Sequence, residues 1–168
     1  ALGALSNAPT LSDGSVYKID FDGVDAAGNS ASQVSVTGVT YDTTAPTIST
    51  SSIASDNAIT TLAKVGDTVT LTISTNENIT TPSVTFTSGA AATTGSASVS
   101  GTSPGTSFSA TYTVDASDTE GAVAISIDAT DEVGNTTSSF TTISAGSVTV
   151  DTTAPTISIS GINHTDGT

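Results

Sequence analysis

The octapeptide DTTAPTIS occupies residues 42–49 and recurs unchanged at 151–158, 109 positions later in a chain of 168 residues. Such a repeat restricts the chain to a unit of about that length used more than once, since a domain commonly takes roughly 100–200 residues. The flanking sequence repeats as well. YKIDFDGVDAAGN (17–29) aligns with VAISIDATDEVGN (123–135) at an offset of 106, matching Ile19 with Ile125, Asp22 with Asp128, Asp25 with Asp131, and Gly28-Asn29 with Gly134-Asn135. The offset then grows to 109, which puts a three-residue insertion in the last strand region. Domain boundaries can be drawn from these offsets: residues 1–41 form the C-terminal part of one repeat, 42–150 a complete repeat, and 151–168 the N-terminal start of the next. A partial repeat exposes sheet edges and half a core, so neither terminal piece is expected to be stable alone.

Within the complete repeat, apolar residues alternate with polar ones. DTVTLTIST (67–75) places Val69, Leu71 and Ile73 on one face and Thr68, Thr70 and Thr72 on the other, the period of two that marks a half-buried strand. TSFSATYTV (106–114) repeats the pattern with Phe108, Ala110, Tyr112 and Val114, and AVAISID (122–128) with Val123, Ile125 and Ile127. PSVTFTS (82–88) adds Val84 and Phe86, with Pro82 at its start, where a missing N–H is tolerated. GSVTV (146–150) closes the set, and the turn sequences KVGD (64–67), SPG (103–105), DASDTEG (115–121) and DEVGN (131–135) separate the strands. Serine and threonine supply 62 of the 168 residues, and threonine with valine and isoleucine suits a pleated, half-buried surface. A polar, highly charged composition by itself suggests disorder, but the alternation argues against it. The expected fold class is all-β: an immunoglobulin-like β-sandwich of two antiparallel sheets, in tandem repeat.

Sixteen acidic residues face only Lys18 and Lys64, for a formal net charge of −14. Nucleic acid is therefore not an expected partner, because phosphate binding needs a basic surface. Anionic membranes are disfavoured too, and no run approaches the ~18–20 apolar residues of a span, so no membrane insertion is expected. ALGALSNAPT (1–10) has neither a basic n-region nor a long apolar run and is not read as a signal peptide. The chain has no cysteine, which removes disulfides and thiolate metal sites. No enzyme is expected: there is no G-x-S-x-G elbow, cysteine nucleophile or phosphate-binding glycine loop, and the single histidine is His164. A carboxylate pair such as Asp128/Asp131 serves glycoside hydrolysis only in a substrate cleft, usually rich in aromatics, and this chain has three tyrosines, four phenylalanines and no tryptophan.

In a sandwich of this kind, successive loops alternate between two poles. The DTTAP linker, the loop STNENIT (74–80) and the loop DATDEVGN (128–135) should share one pole, so that Asp42, Glu77 and Asp131 converge. Like charges that close repel unless protonated or bridged by a cation. Calcium is the expected bridge, because it takes six to eight oxygens at roughly 2.3–2.6 Å in flexible geometry, whereas magnesium demands a strict octahedron. Zinc finds no cysteine and only one histidine. Asn76, Asn78, Asp128 and carbonyls near Thr43 are candidates to complete the shell. Asp67, Asp115, Asp118 and Glu120 form a second acidic set at the opposite pole near Asp151, and Asp13 holds a comparable place before Asp42, so each junction is expected to receive oxygens from both sides. The plainer alternative is also open: Asp42 and Asp151 capping local N–H groups, Pro46 and Pro155 stiffening the linker, Gly28 and Gly134 supplying positive φ.

VDTTAPTISI (150–159), VGDTVTLTISTNENI (65–79) and DEVGN (131–135) resemble the bacterial immunoglobulin-like repeats of very large surface adhesins, found as extender regions of biofilm-associated and RTX-type proteins. The resemblance implies a secreted or surface-anchored array, extracellular or at the bacterial cell surface, often rigidified by calcium at domain junctions. It further implies that Asp42 and Asp151 are linker metal ligands, Glu77 the acid after the second strand, and Asp25 and Asp131 the aspartates of the D-x-x-G-N loop. Partners are then neighbouring repeats of the same or adjacent chains. The function expected is that of an extender, holding a distal module away from the cell. The alternative is a self-assembling filament or surface-layer subunit, completed by strands from neighbouring chains.

Overall fold

The computed structural model describes residues 9–161. Strands form where apolar residues alternate. In chain order they are β1 (Ser15–Phe21), β2 (Val34–Tyr41), β3 (Ile48–Ser55), β4 (Leu62–Ala63), β5 (Thr68–Ile79), β6 (Ser83–Ser88), β7 (Ala91–Ala92), β8 (Ser98–Ser100), β9 (Gly105–Thr113), β10 (Gly121–Thr130), β11 (Thr136–Phe140) and β12 (Thr149–Val150). Every regular element among the described residues is a strand. The chain is all-β, with β1 and β2 paired as a separate antiparallel hairpin and the rest divided between two larger sheets.

One of those sheets runs β3-β5-β9-β8 and is antiparallel throughout. The other runs β4-β12-β10-β6-β7, with β11 also on β10, and its β4–β12 contact is parallel. Their inner faces meet in one core. Val69, Leu71 and Ile73 of β5 are fully buried, and they pack with Ala110 and Tyr112 of β9, Val84 and Phe86 of β6, and Ile125 and Ile127 of β10. The Phe86 and Tyr112 rings stand 4.9 Å apart at 40°, a tilted pair bridging the two sheets. Outward positions are hydroxyls: Thr70 and Thr72 of β5 face Thr111 and Ser109 of β9 in register. Apart from Glu77 and Asp128, no strand from β3 to β12 carries a charge. The acidic residues lie almost wholly in the turns.

The hairpin β1–β2 presents the same kind of apolar face without a cover. Ile19, Phe21, Val34, Val36 and Val39 are exposed. At the repeat offsets, Ile19 and Phe21 correspond to Ile125 and Ile127, and Val39 to Val148, all buried in the sandwich. The hairpin also contains a register shift between Tyr17 and Ile19. The C-terminal stretch 151–161 forms no strand, and Ile157 and Ile159 stand in solvent.

Tyr112 carries the one buried side-chain polar atom without a hydrogen-bond partner among the described residues. Burial pushes its hydroxyl up to about 12, with the nearby Asp118 charge adding to the shift. An unpaired buried hydroxyl is a liability that its apolar isostere lacks. Tyr112→Phe is therefore expected to leave thermal stability unchanged or raise it by up to about 1 kcal/mol in a denaturation experiment. A loss of that size would show that the hydroxyl has a partner.

Candidate metal centre at the linker

The linker 42–47 is held by short polar contacts from both sides. Asp42 accepts the Thr44 amide on Oδ1 at 3.0 Å, an Asx turn within DTT. From the sandwich, Asn135 Nδ2 donates to the Asp42 carbonyl at 3.3 Å and the Thr137 hydroxyl donates to the Pro46 carbonyl. Thr47 N–H donates to Asn76 Oδ1 at 2.7 Å, and Asn76 N–H returns to the Thr47 carbonyl at 3.1 Å. Pro46 is fully buried against this pole.

Asp131 directly follows β10 and is only 3% exposed. Its Oδ1 accepts the amides of Val133, Gly134 and Asn135 at 2.9, 2.6 and 2.8 Å, and its Oδ2 accepts Asn135 Nδ2 at 2.8 Å. Burial alone would raise its pKa, but the Asn135 side chain and the amides of Asn135, Gly134 and Val133 outweigh it and hold the carboxyl below its usual range. The turn needs Gly134, whose φ of 105° is left-handed. The loop at 25–29 is built alike: Asp25 accepts the Ala27 and Asn29 amides at 2.9 and 2.8 Å and Asn29 Nδ2 at 2.8 Å, with Gly28 at φ 93°.

Glu77 comes from β5. The expected loop at 74–80 is instead strand as far as Ile79, because β5 keeps pairing with β9 through a register shift between Ser74 and Ile79. Irregularities of this kind re-aim a side chain at the end of a ladder. One oxygen each from Asp42, Glu77 and Asp131 lies within 4.8 Å of the other two. Thr40, Asn78, Glu132 and Val133 border the same cleft. Neither lysine serves the cluster: Lys18 pairs with Asp20 at 2.9 Å and Lys64 with Asp67 at 2.6 Å. Two full charges at that separation repel by about 1–3.5 kcal/mol for effective dielectric constants of roughly 80 down to 20. An all-oxygen anionic donor set with neither lysine beside it suits a hard divalent cation.

Apart from Asn78 at the rim of the cleft and Asn76 beside Glu77, the other residues singled out from the sequence lie elsewhere. Asp128 accepts the Ser139 amide at 2.7 Å on the outer face of β10. Asp25 stays at the tip of the hairpin, and Asp151 accepts the Thr153 amide at 3.0 Å. Asn76 is committed to Thr47, and Asn78 points its amide at Glu132, 3.4 Å away. His164 lies outside the described residues, as do residues 1–8. The acids of the opposite pole do not converge; each is held by its own set of donors. Asp118 accepts the amides of Thr94 and Asp115 at 2.8 and 3.0 Å, Asp115 holds Ser117, and Asp67 takes Asn57 Nδ2 at 2.7 Å and Lys64.

Asp13 and Glu120 do reach the junctions, but they bind threonines. Asp13 accepts the Thr43 amide at 2.6 Å, the Thr43 hydroxyl at 2.9 Å and the Thr44 hydroxyl. Glu120 accepts the Thr152 amide and hydroxyl, both at 3.0 Å, and the Thr153 hydroxyl at 2.5 Å. These donors hold both carboxyls below their usual range, the Thr44 hydroxyl leading for Asp13 and the Thr153 hydroxyl for Glu120. The faithful DTT sequence is the readable trace of this contact. The acids themselves escape a single alignment. Asp13 stands two residues before Ser15, the partner of Tyr41, while Glu120 stands one before Gly121, the partner of Val150.

No protein-family model, curated protein or solved structure matches this chain.

Asp67 provides a measurable acid limb. Hydrogen bonds from the Asn57 side chain and the Lys64 amide and ammonium hold its carboxyl at about 2. A folded-state pKa below the unfolded one means stability present above the unfolded value of about 3.9 and lost as pH falls through the folded value. The stability gap between wild type and Asp67→Asn is therefore expected to be widest above pH ~4 and to close toward pH ~2 in urea titrations across that range. A gap independent of pH would place the effect in packing.

Proposed function

We propose that this chain is a structural extender module of a secreted or cell-surface bacterial adhesin, an immunoglobulin-like tandem array stiffened by calcium at its linkers. The convergence of Asp42, which belongs to the linker, with Glu77 and Asp131, which belong to the sandwich after it, carries this reading. A cation shared by those three groups ties the orientation of the linker to the domain beyond it. The order β3-β5-β9-β8 facing β6-β10-β12 supports the immunoglobulin-like description, since it reproduces the A, B, E, D and C, F, G arrangement of that sandwich. The matching loops at 25–29 and 131–135 and the matching DTT contacts at 42–44 and 151–153 support the tandem reading. The strands β3 to β12, whose only charged residues are Glu77 and Asp128, support a spacer. In such an array, length scales with the number of repeats.

Glu77→Gln separates a metal centre from a solvated acidic surface, because Glu77 caps no turn through its carboxylate. In chelator the variant is expected to be as stable as wild type or more so, having lost one repelling charge. Added calcium is expected to raise the melting temperature of wild type by several degrees, at about 100 times its dissociation constant contributing roughly 2.7 kcal/mol, and to leave Glu77→Gln unmoved. Equal responses of the two proteins, or the same response to sodium at matched ionic strength, would contradict the reading.

A further inference from the structure

The threonine contacts at 42–44 and 151–153 occur in two different settings. At the first, the linker leads into the complete sandwich, whose Asn135, Thr137 and Asn76 also grip it. At the second, it leads into the stretch 151–161, an exposed segment with no strand. The contact nevertheless forms alike in both. An acid standing just before the first strand of a hairpin takes the amide and hydroxyl of the first threonine and the hydroxyl of the second. In both, the linker aspartate caps the second threonine amide at 3.0 Å. A folded sandwich beyond the linker is thus not needed for the contact.

We infer that Asp13 and Glu120 are positioning residues that clamp the linker to the repeat before it without any ion. The clamp fixes the two threonines, and through the Asx turn it fixes the direction of the aspartate preceding them. Asp42 and Asp151 are then presented to the next repeat as preformed half-sites. Only the effect on calcium affinity rests on the junction-ion reading. The clamp itself does not.

The test uses the whole chain with Asp13→Ala, with the pair Thr43→Val/Thr44→Val, and with the pair Thr43→Ser/Thr44→Ser as the conservative control. Residue-resolved amide hydrogen exchange in chelator reads the clamp. The Thr43 and Thr152 amides of wild type are expected to exchange at least about tenfold more slowly than unstructured peptide, and Asp13→Ala to release Thr43 but not Thr152. Free exchange of both in wild type would overturn the inference. Calcium titration reads the positioning. A linker held in the competent direction for only a tenth of the time weakens apparent affinity about tenfold, expected for Asp13→Ala and the valine pair but not for the serine pair. Melting of the sandwich in chelator is expected to be unchanged in all three. Unaltered calcium affinity in Asp13→Ala would overturn the positioning role. Should wild type bind no calcium while Thr43 and Thr152 stay protected, the junction ion is wrong and the clamp stands.

Discussion

A chain with sixteen carboxylates and two lysines must find neutral donors for its anions. Hydrogen bonds from amides and hydroxyls to an ionised acceptor are the strong ones, and they stabilise the charged form. The turns of this protein are arranged accordingly. Asp131 and Asp25 each take backbone amides from the loop just after them, and Asp118 takes one amide from its own turn and one from Thr94. Asp13 and Glu120 take threonine hydroxyls from the linker. The abundance of serine, threonine and asparagine, which looks bland in composition, supplies these donors and closes the turns. Asp42, Glu77 and Asp131 stand apart in bringing one oxygen each within 4.8 Å of the other two.

Charge and fold are segregated by this arrangement. The sheets bury their apolar faces and turn uncharged hydroxyls outward, so the flanks carry almost no charge while the poles carry nearly all of it. In the proposed array, bodies with neutral sides and acidic ends would meet at the points of greatest repulsion. In an ion-stiffened array, the linker resolves that conflict twice. Threonine donors satisfy the acid behind it, and the proposed cation would bridge the acids ahead.

The strand pattern is legible because period two is a local property. Val69, Leu71, Ile73 and Ile125 are each readable from five or six neighbouring residues, and all are buried as expected. The convergence of Asp42, Glu77 and Asp131 is legible only through topology, by assigning three distant segments to one pole. The extent of β5 is not, since NENI has no apolar alternation to distinguish a strand with a register shift from a loop. The companion acids invite over-reading: Asp67, Asp115 and Asp118 share a pole in sequence order, but each is consumed by donors two to twenty-four residues away that no spacing rule announces. The threonine clamp is hidden for a related reason. Its acid differs in type between the two DTT sites and sits one position apart, so the contact survives where the alignment breaks.

The central claim is that Asp42 and the pair Glu77/Asp131 share one cation across the linker. A crystal structure of the chain grown in calcium tests it most directly. The account predicts one density peak with an oxygen of each of the three residues at roughly 2.3–2.6 Å and six to eight oxygen neighbours in all. Water alone in that cleft, or the three carboxylates turned away from one another at saturating calcium, would contradict it.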